Sequence, residues 1–340
     1  MVALVQHGPI SSRDVHKHHV EATHQSPYDA FVGETYSPHL FKDIIYDFIQ
    51  KFGHLPPTSF QLSDIKKTST YRTMFDEFLS FNHDDRFYED SCITAAVIAE
   101  QGYPQLSSDK KLQIAKYTWH AVTIEDSANK ILPHVKAFQE DFFQRRISEN
   151  ALLASFQQNL LDMYNWWDPI AANLITISAL DFITGLLMEE DPAYQGMQLS
   201  DAALAWPDFL RRQTGSAIAY ACMLFPKDSC PDTSTYIQVV EDMAYIVNIL
   251  NDLLSYHKEA LIGDCNNYVH FRARVNGKTV VETLKDVAED ILAANERIIR
   301  VLQSTSPESI VAWRNFVCGY SDFHFCSPRY RLKDFILTSG

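Results

Sequence analysis

From Pro38 onward, apolar side chains recur at intervals of three and four residues, the spacing that puts them on one face of an α-helix. The first such run, residues 39–52, carries Leu40, Ile44, Ile45, Phe48 and Phe52 on one side, and Pro56-Pro57 ends it. The same period predicts helices over residues 70–81, 88–101, 107–127, 133–145 and 149–165. Asp168-Pro169 then opens a long apolar helix over 170–189, interrupted only by Gly185. A missing side chain there lets a helix bend, lets a ligand approach the backbone, or lets two helices pack closely. Helices over 201–212, 215–224, 234–261, 279–304 and 307–324 complete an inventory of ten or more. Helical rather than strand spacing in nearly every segment predicts an all-α bundle.

Composition narrows this picture. Glycine is scarce, 11 in 340 residues, and no Gly/Ser- or Pro-rich linker interrupts residues 90–336, so residues 38–340 read as a single domain. Residues 1–37 are polar, hold His16, His18, His19 and His24, and are broken by Pro9 and Pro27; they read as a flexible N-terminal arm. The acidic cluster of His83, Asp84, Asp85, Glu89 and Asp90 reads as a surface loop and helix cap. A hydrophobic share of 46 % is ample for a large core, and no apolar run of about 20 residues suggests a membrane span. A net charge of −14 argues against nucleic acid and anionic membrane as partners, and requires a local basic patch with metal for any anionic substrate. Six dispersed cysteines without a C-x-x-C pair argue against structural zinc and a disulfide framework. With no signal peptide, the expected location is cytoplasmic.

Candidate chemistry concentrates in residues 251–259, N-D-L-L-S-Y-H-K-E. Asn251, Ser255 and Glu259 recur at i, i+4 and i+8, so one amide, one hydroxyl and one carboxylate share a helix face. The run before them is mostly apolar, so this stripe is largely buried and needs a partner. Mg²⁺ takes oxygen ligands, keeps several waters and binds through a few side chains plus substrate phosphates, which fits that donor set. The alternative is a hydroxyl bonded back to a carbonyl and a glutamate paired in solvent.

The order N-D-L-x-S-x-x-K-E resembles the second metal motif of class I terpene synthases, closest to the fungal trichodiene-synthase-like group. Two further stretches resemble that family. Residues 327–332, S-P-R-Y-R-L, resemble its Arg-Tyr element, and residues 206–212, W-P-D-F-L-R-R, resemble the segment carrying its diphosphate-sensing arginine. Arg211 lies 40 residues before Asn251 and Arg329 lies 70 after Glu259, so the likeness spans residues 90–336. Guanidinium forks bind phosphate oxygens in bidentate fashion, which suits a diphosphate. Arg211 and Arg212 point about 100° apart on a helix, so only one faces a cleft. The family pattern assigns Arg211.

The resemblance implies an α-helical bundle with a central active-site cavity and a Mg²⁺-dependent sesquiterpene cyclase acting on farnesyl diphosphate with three metal ions, with a homodimer as a further expectation. It implies that Arg211, Lys258, Arg329 and Tyr330 bind diphosphate and that Glu125 joins Asn251, Ser255 and Glu259 in holding metal. The first motif departs from the family. Residues 124–130 read I-E-D-S-A-N-K, with Glu125, Asp126 and Asn129 where an aspartate pair and a further acid are expected. Asp126 is then a supporting residue or the salt-bridge partner of Arg329. Acids at the C-terminal end of the helix over 107–127 would need a compensating cation. Ser327-Pro328 replaces the Asp-Arg that often precedes the family's Arg-Tyr. Tyr117 or Trp119, Phe182, Tyr245 and Phe323 are the aromatic candidates for stabilising a carbocation, with Gly185 as the helix break that faces substrate. Capture of the cation by water or an amine is a variant of the same chemistry. The contrasting reading is a noncatalytic relative that binds a prenyl diphosphate or a protein partner.

Overall fold

The computed structural model describes residues 37–53, 62–79 and 85–332. The N-terminal histidine cluster, His83 and Asp84 lie outside them. In chain order the helices are α1 (Pro38–Phe52), α2 (Leu62–Ile65), α3 (Ser69–Phe78), α4 (Asp85–Gly102), α5 (Ser108–Phe143), α6 (Ala151–Trp166) and α7 (Pro169–Glu190). They continue with α8 (Pro192–Gln195), α9 (Trp206–Gly215), α10 (Ala217–Cys222), α11 (Val240–Leu261), α12 (Tyr268–Asn276), α13 (Val280–Thr305) and α14 (Pro307–Cys326). No strand occurs among the described residues, as the periodicity predicts.

Local chemistry sets the boundaries. Ser37 and Asp168 accept hydrogen bonds from the first-turn amides of α1 and α7, each with proline at the first helical position. Thr279 and Glu282 form a reciprocal capping box on α13. Gly53 closes α1 in the left-handed region at φ 73°.

Three departures from the predicted elements have physical causes. Residues 108–143 form one 36-residue helix, α5, which passes through Pro133 with a kink at Ile131 (φ −115°, ψ 15°). The proline removes one backbone donor and distorts the preceding turn without ending the helix. Glu125 and Asp126 therefore sit mid-helix, and the argument from a helix C-terminus does not apply to them. The predicted helix over 234–261 starts later, at Val240, after two 3₁₀ turns, Thr233–Thr235 and Ile237–Val239. Helix α12 is short and polar, lacks an apolar stripe to announce it, and is started by the Asn267 side chain accepting from the His270 amide.

Six helices close into a ring through successive contacts: α4 on α5, α5 on α7, α7 on α10, α10 on α11, α11 on α14, and α14 back on α4. Outside it, α3 packs on α4 and α5, α6 on α5 and α7, and α13 on α11 and α14, with α1 and α12 laid over α13. One contiguous apolar core fills the layers between them. Helix α7 is long and apolar enough to cross a membrane by length and composition, but it is a wall of the ring and buries residues from Ala171 to Leu186.

Gly185 settles between the readings left open by the sequence. A Cβ there would lie 2.8 Å from the Gln213 carbonyl carbon and 2.9 Å from the Thr214 nitrogen, so α7 and α9 touch backbone to backbone. Helix α7 is unbroken at Gly185. The break lies instead between α9 and α10, where Ser216 is left-handed (φ 53°, ψ 20°). Gly215 leaves room there for the Asn248 side chain, whose Oδ1 would lie 1.8 Å from an added Cβ and would have to move.

Candidate active site

Near the C-terminal end of α11, Asn251 is 5 % exposed and Ser255 1 %. Their i, i+4 spacing turns both to one side, and Ser255 donates to Glu259 Oε1 at 2.6 Å. Asn251 accepts from Arg211 Nη2 at 3.2 Å through Oδ1. Lys258 Nζ lies 4.0 Å from Glu259 and 5.6 Å from the centre of the Tyr330 ring. Arg211, on the last turns of α9, places Nε 2.9 and 2.7 Å from the two Asp252 oxygens and gives Nη2 also to the Asn248 carbonyl. Its Nη1 is buried with no hydrogen-bond partner. Arg212 points outward, 3.8 Å from Glu241.

A cavity of ≈ 570 Å³ opens beside Arg211, Asn251, Lys258 and Glu259, while Ser255 lies behind Glu259 and does not line it. Glu125 from α5, Glu189 from α7, Arg211 and Thr214 from α9, Asn251, Asp252, Lys258 and Glu259 from α11, and Arg329 and Arg331 after α14 line it. The loop after α11 adds Asp264, Asn266 and Asn267 at the same wall. Tyr330 is buried beside this wall in a 3₁₀ turn, Pro328–Tyr330, that packs on α11. Asp126 follows Glu125 on α5 and is half-buried, while Asn129 is exposed.

The electrostatics follow from burial. Desolvation pulls the Lys258 ammonium down to about 8, and the Arg329 cation pushes it further in the same direction. Burial raises Glu259. Glu189 is raised too, first by burial and then by the charge of Glu125. Glu125 Oε2 is buried without a hydrogen-bond partner. Five acids (Glu125, Glu189, Asp252, Glu259, Asp264) thus share one cavity with four bases (Arg211, Lys258, Arg329, Arg331). Carboxyls pushed toward protonation mark a place where added positive charge is favourable.

The donor set fits a hard divalent cation: Glu125, Asn251, Ser255 and Glu259 offer only oxygen, apart from the amide nitrogen of Asn251. Among the described residues no three His, Cys, Asp or Glu side chains form a ready cage. A cation that keeps waters and takes phosphate oxygens needs none.

The aromatic candidates divide. Tyr117 is fully buried on the inner face of α5, its hydroxyl 2.5 Å from Ser216 Oγ at the helix break. Phe182 is buried on α7, and Phe323 packs at 5.6 Å on Tyr330. Trp119 does not face the ring interior: it stacks on Phe78 of α3 at 3.6 Å, because two residues past Tyr117 the helix has turned by about 200°. Tyr245 is also excluded, since it faces α12 and α13, accepting from Arg272 and donating to Asp290.

Sequence reading missed Asp252, Glu189 and His324. Asp252 holds Arg211, and its adjacency to Asn251 was the available signal. Glu189 closes a helix whose remaining residues read as core. His324 Nε2 lies 3.0 Å from Asn251 Nδ2, a contact no local pattern announces.

A ring of helices whose cavity carries an acidic and basic wall is the architecture of a class I terpene synthase. The trichodiene synthase (TRI5) family matches residues 82–338. Terpene synthase BipA of Cochliobolus sativus is 36 % identical over 231 residues, 68 % of this chain and 71 % of that one. Longiborneol synthase CLM1 of Gibberella zeae is 30 % identical over 245 residues, 71 % of this chain and 72 % of its own length. Among solved structures, linalool/nerolidol synthase from Streptomyces clavuligerus, crystallised with 2-fluorogeranyl diphosphate, superposes with a TM-score of 0.59. That match covers 79 % of this chain and 100 % of the other at 15 % identity, which speaks to the fold alone. The chain belongs to the trichodiene synthase family of terpene synthases.

Proposed function

We propose that this enzyme is a Mg²⁺-dependent sesquiterpene synthase that ionises farnesyl diphosphate and guides the resulting carbocation. The observation that carries this reading is the meeting of two unfulfilled groups on one cavity: Arg211 Nη1, a buried donor, and Glu125 Oε2, a buried acceptor. A diphosphate with its cations supplies what each lacks. Glu125, Asn251, Ser255 and Glu259 would hold magnesium, three ions with the diphosphate by likeness to the family, and Asp126 would support Glu125 or pair with Arg329. Bound there, magnesium would neutralise charge on the departing oxygens.

The chain's own residues do the rest. Arg211, Lys258, Arg329 and Tyr330 bind diphosphate oxygens, and Asp252 keeps the Arg211 fork in plane. Tyr330 and its turn cover the wall, which excludes water from the cation. Tyr117, Phe182 and Phe323 offer ring faces that attract a cation without attacking it, worth roughly 0.5–2 kcal/mol each. The cation's fate, closure to a hydrocarbon or capture by water or an amine, is read from the product.

The test is release of pyrophosphate from farnesyl diphosphate with and without Mg²⁺, in the wild type and in Glu125→Ala and Asn251→Ala. The expected result is release that needs Mg²⁺ and is lost in both variants, with C10 and C20 diphosphates turned over more slowly. Equal release in all three proteins would defeat the proposal. Tight farnesyl diphosphate binding without turnover would favour the noncatalytic reading.

A further inference from the structure

We propose that His324 is a positioning residue that fixes which end of the Asn251 amide faces the cavity. This rests on the reading of Asn251 as a cation-facing side chain. His324 sits on α14, fully buried, among the rings of Tyr320, Phe323 and Tyr330 at 4.7, 5.1 and 4.5 Å. A polar ring in so aromatic a place costs desolvation unless both nitrogens are used.

Both are used, and in one order. His324 Nδ1 lies 2.7 Å from the Tyr320 carbonyl oxygen. A carbonyl only accepts, so Nδ1 carries the proton. A neutral imidazole has one N–H, which leaves Nε2 as an acceptor. The contacts on the other side of the amide agree: Arg211, which can only donate, lies 3.2 Å from the Oδ1 end of Asn251, so the end facing Nε2 is a donor and Nε2 is bare. The atom of Asn251 that lies 3.0 Å from Nε2 must then donate, which makes it Nδ2. Oδ1 is consequently turned the other way, where it accepts from Arg211 at 3.2 Å and keeps a second lone pair.

The two ends of a primary amide are nearly isosteric, and only one of them can hold a cation. A side chain at Asn251 free to rotate would present N–H to the metal site part of the time. The relay from the Tyr320 carbonyl through His324 removes that choice, as hydrogen-bonding partners behind a ligand orient it elsewhere.

The test compares wild type, His324→Phe and His324→Gln. Phe keeps the aromatic volume and removes the acceptor, while Gln can return an oxygen at the position of Nε2. Affinity for Mn²⁺ with inorganic pyrophosphate, read by electron paramagnetic resonance and without turnover, is expected to fall about 10- to 100-fold in His324→Phe. His324→Gln is expected to recover most of it. The ¹⁵N spectrum of histidine-labelled wild type, assigned by the signal missing from either variant, is expected to show protonated Nδ1 and bare Nε2. That reading is taken on the wild-type protein and stands if His324→Phe does not fold. An Nε2–H tautomer, or unchanged Mn²⁺ affinity in a folded His324→Phe, would overturn the proposal. A wild type that binds no Mn²⁺ with pyrophosphate would instead overturn the functional reading on which it rests.

Discussion

Replacing Arg211 by lysine tests the proposed diphosphate site while keeping its charge. Arginine uses Nε on both Asp252 oxygens and Nη2 on the Asn248 carbonyl and Asn251 Oδ1, both at 3.2 Å. A lysine ammonium is one point and holds Asp252 alone. The two lost bonds, at ~0.5–1.5 kcal/mol each, cost about 1–3 kcal/mol of folding stability. For 340 residues the unfolding entropy is ~0.7 kcal/mol per degree, so the midpoint should fall by ~1.5–4 °C. The effect on binding is larger. Nη1 of Arg211, 8 % exposed as a residue, is paired with nothing in the protein. A charge-assisted bond to an anion contributes roughly 1.5–3 kcal/mol, so pyrophosphate binding with Mg²⁺ should weaken about 10- to 150-fold. Isothermal titration of pyrophosphate into Mg²⁺-saturated wild type and Arg211→Lys measures it, with differential scanning fluorimetry for the midpoint. Binding within threefold of wild type in a folded Arg211→Lys would refute the assignment of Nη1 to the ligand.

Two further outcomes follow from packing and burial. In Gly185→Ala the new Cβ meets the Gln213–Thr214 backbone at 2.8–2.9 Å, and overpacking of this kind costs ~1–3 kcal/mol. The melting midpoint should fall by ~1.5–4 °C with weaker pyrophosphate binding as α9 shifts, and an unchanged midpoint would mean that the two helices are not pressed together. His120 is fully buried on α5 against Phe78 and Phe156, and burial pulls its imidazole from 6.5 down to about 3. Its folded value is the lower one, so its contribution is complete above pH 6.5 and is lost as pH falls from 6.5 toward 3. At ~1.4 kcal/mol per unit the loss is about 2 kcal/mol at pH 5. The loss in urea-unfolding stability from pH 7.5 to pH 5 should be about 2 kcal/mol smaller in His120→Gln than in wild type; identical losses would refute it.

Most helices were legible because each hides an apolar face, and that requirement is written at intervals of three and four residues. The misses lie where that requirement is weak. Helix α12 is held by the local Asn267 cap and by Tyr268 donating to Asp208, a contact across 60 residues that leaves no local pattern. Pro133 reads as the start of a separate helix over 133–145, yet α5 runs through it, and packing on α7 through Gln139, which donates to the Leu180 carbonyl at 2.7 Å, holds the second half in line. Trp119 and Tyr117 differ by two positions, and only a known bundle says which one looks inward.

The site shows the same division more sharply. Asn251, Ser255 and Glu259 are one helix's business, and their spacing alone puts them on a common face. Glu125, Arg211 and Arg329 come from three other segments, and only their likeness to a family placed them together before the fold did. What neither spacing nor likeness supplied is the set of groups acting on those residues: Asp252 on Arg211, Glu189 against Glu125, His324 behind Asn251. Each is a tertiary contact whose meaning depends on direction, a donor meeting an acceptor or an acid meeting an acid. The first motif lacks a trailing carboxylate on α5, but α7 delivers one to the same cavity as Glu189. A carboxyl of the kind that I-E-D-S-A-N-K lacks is thus present at the wall, carried by a different helix.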